Sequence, residues 1–132
     1  MEPLTFYFDR NFGRRLPEAL RKLGLIVEFQ HDKKSRFRPT MPDDEWLAEV
    51  GKRKWVVFSH DRKFHLLPAE LSAIKQHEVG CFYLWGANDT TWGKARLFAK
   101  AYDRIVQAAA TESRPFIYLV TKKGTLKKVK MP

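Results

Sequence analysis

The stretch WVVFSHDRKF, residues 55–64, runs through four apolar positions into a polar turn that sets Asp61 between His60 and Arg62, then closes on Phe64. A short run rich in β-branched and aromatic residues, without alternation, is the pattern of a strand covered on both faces. A second stretch of the same form stands at the start of the chain. LTFYFDRNF, residues 4–12, carries an apolar segment that ends on Asp9 with Arg10 directly behind it. Two buried-type strands that each end in an aspartate are the pattern from which fold and site are read.

Working outward, NFGRRLPEALRKLG, residues 11–24, places Phe12, Leu16, Ala19, Leu20 and Leu23 on a helical period that stops at Gly24, a natural C-cap. Pro17 lies early in it, so the regular helix is expected to begin only there, with the preceding turn looser. LIVEFQ, residues 25–30, reads as the second strand. HDKKSRFRPTMP, residues 31–42, has five basic residues, two prolines and no apolar period, and predicts an exposed loop long enough to carry function. PDDEWLAEVGK, residues 42–52, opens a helix, its acids crowded at the positive end of the dipole. After the strand at 54–59 come a helix at 66–77, a strand at 79–86, a long helix at 91–110 and a strand at 114–124. Residues 125–132 form a basic tail with the makings of a short extra strand.

Nearly all-apolar strands alternating with helices predict a parallel sheet covered on both sides. The expected fold is α/β, a three-layer α/β/α sandwich with a mainly parallel five-stranded sheet. A chain of 132 residues has room for one core, so 1–132 is read as a single domain with a basic tail at about 122–132. With 44% hydrophobic residues there is enough apolar material to fold unaided. Lys and Arg outnumber Asp and Glu by 25 to 15, and a net charge of +10 favours polyanions, most commonly nucleic acid. The single cysteine, Cys81, has apolar neighbours and reads as a buried thiol in a reducing compartment. No signal peptide is visible and no apolar run approaches the roughly 20 residues of a membrane span. The expectation is a soluble cytoplasmic protein.

In an open parallel sheet the strand C-termini share one edge, and ligands bind there at the point where strand order reverses. With a flavodoxin-like order, 2-1-3-4-5, the first and third strands are neighbours and Asp9 and Asp61 face one crevice. Asp89, in LWGANDTTW, follows the fourth strand on that edge, and Asp43, Asp44 and Glu45 start a helix on the same side. Carboxylates gathered in one crevice repel one another unless a cation compensates. Oxygen ligands select Mg²⁺ or Mn²⁺, and no Cys or His pair stands at zinc spacing. Acids, a hard ion and basic surroundings together point to phosphodiester hydrolysis. Each acid also has a structural reading: Asp9 and Asp61 as turn residues or caps, Asp43 and Asp44 as helix caps, Asp89 as a turn residue. The histidines read as surface or packing residues, and Trp46, Trp85 and Trp92 as core.

Taken in order, FYFDRNF, ALRKLG, DDEWL and WVVFSHDRKF resemble the PIN domain, in particular the short PIN-like branch that includes VapC-type toxins of toxin–antitoxin pairs. The resemblance covers residues 4–64; beyond them only the order of elements agrees. It implies that Asp9, Asp43 and Asp61 are catalytic and bind the metal, Asp89 being a further candidate ligand. Asn11 and Ser59 stand at family polar positions. Arg10 departs from the pattern by replacing a glutamate and Lys63 by standing where a second aspartate is common. The implied activity is a Mg²⁺- or Mn²⁺-dependent endoribonuclease, the toxin of a pair with a protein antitoxin. RNA contacts are expected from Arg10, Asn11, Ser59, Arg62 and Lys63 around the strand ends. Further contacts are expected from Lys33, Lys34, Arg36 and Arg38 in the basic loop and from the tail at 122–130, with Phe37 stacking on a base. Dimerisation is left open. The rival readings are a non-catalytic RNA- or partner-binding module of the same fold and a receiver-like phosphoacceptor. The receiver ranks last, because it needs paired acids after the first strand and Arg10 follows Asp9.

Overall fold

The computed structural model describes residues 3–30, 32, 37 and 40–132. Along them run β1 (Thr5–Phe8), α1 (Arg15–Lys22), β2 (Ile26–Phe29), α2 (Asp43–Arg53), β3 (Val56–Ser59), α3 (Pro68–Gln76), β4 (Gly80–Leu84), α4 (Thr91–Thr111), β5 (Phe116–Val120) and β6 (Leu126–Lys128). Short 3-10 turns, Arg10–Phe12 and Phe64–Leu66, follow β1 and β3. The sheet order is β2-β1-β3-β4-β5-β6, the first five strands parallel. The expected five-stranded sheet therefore has a sixth member: the tail folds back as β6, antiparallel on β5, with Tyr118 opposite Lys128. A tight turn at Gly124, whose φ of 82° suits a residue without Cβ, makes that reversal.

Strand alternation divides the core in two. Phe6 and Phe8 of β1 point to a layer made by α1 and α4, with Leu16, Leu20, Phe98, Ala101 and Ile105. Tyr7, between them, points to the opposite layer with Trp46, Leu47 and Val50 of α2 and Ile74 of α3. This is the three-layer sandwich read from the sequence. On the α1/α4 side, Phe8, Phe58 and Phe82 stack across β1, β3 and β4 with centroids 5.1 and 5.2 Å apart. Each such pair adds about 0.5–1.5 kcal/mol beyond the area it buries, so the strands that carry the site are held in register by a ladder of rings. Cys81 is buried in the other layer, as expected.

The helix expected over 11–24 is broken in two. Asp9 caps the first 3-10 turn, Gly13 ends it with φ of 68°, and α1 begins only at Arg15. Pro17 sits in its first turn, where a missing N–H costs no hydrogen bond. Among the described residues no helix is long and apolar enough to cross a membrane.

Candidate functional site

Because β1 and β3 are parallel neighbours, their C-terminal ends lie side by side, tied by the Asp9 amide donating to the Phe58 carbonyl at 3.1 Å. Asp9 is 4% exposed, and its Oδ1 accepts from the Asn11 amide at 3.0 Å. Ser59 stands at the end of β3 and is also buried. Its Oγ accepts from the Asp61 amide at 3.0 Å, and its side chain favours the charged form of the Asp9 carboxyl. Asp61 then closes a tight turn, its Oδ1 accepting from the Lys63 amide at 3.0 Å. Asp43 opens α2 on the same edge. Its Oδ1 accepts from Trp46 Nε1 at 2.8 Å and from Arg10 Nη2 at 3.2 Å.

Burial is the main force on Asp9 and pushes its carboxyl up to about 7; the bonds from Ser59 and Asn11 oppose this, and the charges of Asp43 and Asp61 add to it. The three acids thus share one electrostatic neighbourhood. Two carboxylates beside a desolvated third are hard-oxygen donors of the kind that suit Mg²⁺ or Mn²⁺. Their arrangement is open rather than closed: among the described residues no three acidic, histidine or cysteine groups gather as a metal-holding set, and Asp43 is shared between Arg10 and Trp46. Arg10, in the place of a carboxylate, supplies a cation of its own to the crevice.

Asp89 lies apart from these three acids. It is exposed in the turn after β4, its Oδ1 accepting from the Thr90 amide at 2.8 Å, and lines a cavity of about 520 Å³ with His60 and Arg62. Arg62 and Lys63 are exposed beside Asp61; Asp44 and Glu45 are exposed in the first turn of α2. Lys33, Lys34, Arg36 and Arg38 lie outside the described residues. Phe37 corrects the expectation of base stacking: it is 5% exposed, edge-on to Tyr7 at 5.3 Å and near Trp55 at 6.1 Å, so its ring belongs to the core. Trp92 corrects in the other direction. Expected in the core with Trp46, it is 71% exposed.

His60, expected at the surface or in packing, does more than pack. Its ring stacks on Phe12 at 3.9 Å, and Nδ1 lies 2.8 Å from the Leu84 carbonyl. A carbonyl only accepts, so Nδ1 carries the proton. Burial pushes the imidazole down to about 4, leaving it neutral near pH 7. It pins the ends of β3 and β4 together beside Asp61. Its position next to a strand-end acid was the available signal.

A family model described as PIN like domain matches residues 4–86, which include Asp9, Asp43, Ser59 and Asp61. No curated protein and no solved structure matches the chain. PIN-like domains are generally nucleases. With the match spanning more than half of the residues and the expected sheet order in place, the chain belongs to the PIN-like domain family.

Proposed function

We propose that this protein is an endoribonuclease dependent on Mg²⁺ or Mn²⁺, with Asp9, Asp43 and Asp61 as its catalytic acids. The observation that carries the reading is the parallel pairing of β1 with β3, which sets the buried Asp9 beside the Ser59–Asp61 turn at the switch point of the sheet. Asp9 and Asp61 would hold the ion, joined by Asp43 once Arg10 turns from it to the RNA. A bound ion would supply a more acidic water and neutralise charge on the phosphodiester. The chain's own residues orient the reactants. Ser59 fixes the Asp61 turn beside Asp9, the Trp46 indole holds Asp43, and Arg10, Arg62 and Lys63 offer cations to phosphate at the rim.

RNA incubated with Mn²⁺ is expected to be cut, and Asp9→Ala or Asp61→Ala to abolish cutting with the circular-dichroism spectrum unchanged. Cutting by both variants at the parent rate would overturn the reading. The Arg10–Asp43 pair favours a second reading, a module that binds RNA without cutting it, because it occupies an acid that hydrolysis needs. That module would bind RNA in EDTA, leave it intact in Mn²⁺ and be indifferent to Asp9→Asn. The toxin role, with an acidic antitoxin, rests on the resemblance of residues 4–64 to VapC-type toxins. Its measurement is growth arrest on induction, relieved by Asp9→Ala.

A further inference from the structure

A second surface lies along α4 and starts beside Asp89. Trp92, Arg96 and Lys100 stand four residues apart and so form one stripe of the helix. All three are exposed, and with Leu20 of α1 and Leu23 at its C-terminal cap they line a groove of about 730 Å³. At one side Trp85 is half-buried, with the Lys122 ammonium 5.3 Å from its ring centroid. We propose that this groove binds the unpaired part of a single-stranded RNA, Trp92 stacking on a base while Arg96, Lys100 and Lys122 hold phosphates. The proposal rests on the reading of the protein as an RNA enzyme and gives that reading a substrate-binding site outside the crevice.

Three observations select this occupant. An indole left 71% exposed in the first turn of a helix does no packing for the fold, yet offers the π-face on which any base stacks. None of the ion pairs among the described residues engages Arg96, Lys100 or Lys122, so their charge is available to a polyanion. Finally, the groove is continuous with the site. Trp85 and Asp89 line both it and the cavity of about 520 Å³ that holds His60 and Arg62, the neighbours of Asp61. A strand laid in the groove therefore leads to the acidic edge. A second copy of the chain would set cation against cation there, which disfavours it.

The test is fluorescence anisotropy of a labelled, unstructured oligouridylate of about 12 nucleotides, with full-length protein in EDTA so that binding is read without cutting. Trp92→Ala is expected to weaken binding about tenfold and Trp92→Phe, which keeps a stacking face, by no more than about twofold. Arg96→Glu with Lys100→Glu should weaken it further and flatten its salt dependence. In Mn²⁺, Trp92→Ala should raise KM with kcat retained. Parent-like binding by Trp92→Ala and the charge reversal overturns the proposal. So does a loss confined to the charge reversal, which would mean diffuse attraction. If Trp92→Ala leaves RNA affinity intact but changes the sedimentation of the free protein, the groove belongs to a second copy. If it abolishes binding of an acidic amphipathic peptide instead, the groove belongs to a protein. Both of those results overturn the RNA assignment. A parent that binds RNA in the groove but never cuts it would sink the nuclease reading and leave this one standing.

Discussion

Asp9 sits where a carboxylate is costly. Only 4% exposed, it gains bonds from Ser59 and Asn11 that do not offset its desolvation, and its carboxyl moves from an ordinary 3.8 to about 7. Between those values the unfolded chain has released the proton and the folded one still holds it. In the metal-free protein stability therefore falls as pH rises from about 4 to about 7, by at most about 1.4 kcal/mol per pH unit from this group. His60, pushed down to about 4, works in the opposite direction below its ordinary 6.5, so the informative quantity is a difference between variants. In EDTA, the gap in Tm between Asp9→Asn and the parent should widen in favour of the variant from pH 5 to pH 8. Parallel pH profiles would show that Asp9 is not desolvated.

At the scale of elements, the first 3-10 turn and α2 meet through Arg10 and Asp43, both partly exposed. An exposed pair of this kind is worth about 0–1 kcal/mol, too little to explain itself by stability. Its consequence is competition: the guanidinium holds an oxygen that a divalent ion would use. Arg10→Ala is expected to tighten Mn²⁺ binding severalfold by calorimetry while shifting Tm little; unchanged or weaker binding would remove Asp43 from the ligand set. The strand-end aspartates were legible in the sequence because parallel strands bring their C-termini to one edge, so knowing the order was enough to bring Asp9 and Asp61 together. The looser turn ahead of α1 was legible from Pro17, although the helix begins at Arg15, two residues before it, and Phe12, which fits the helical period, falls in a turn that Gly13 ends. Phe37 and Trp92 defeated the reading for a related reason. A lone aromatic among charges has no periodicity, so whether it is buried depends on neighbours that only the fold supplies: Tyr7 and Trp55 cover Phe37, and nothing among the described residues buries Trp92.

Over the whole molecule the charge is divided by place. The carboxylates that bear on Asp9 cluster at the β1/β3 edge, while Arg62 and Lys63 flank them and Arg96 and Lys100 of α4, with Lys122 after β5, line the groove beyond, within a chain of net charge +10. Such a field attracts RNA along most of this face and opposes it most strongly at the crevice, where phosphate meets clustered acids. Approach of a phosphodiester to Asp9 and Asp61 is unfavourable unless a cation stands between them, whereas binding along α4 needs none. Affinity and cutting should therefore separate. If those five cations each meet a phosphate, log K against log salt in EDTA should fall with a slope of about −3.5, and reversing Arg96 and Lys100 should flatten it by about 1.4. Mn²⁺ should alter that slope little while switching cutting on. A flat salt dependence would mean that the positive surface does not contact the RNA backbone, and binding that appears only with Mn²⁺ would move the whole affinity to the crevice and leave α4 without a role.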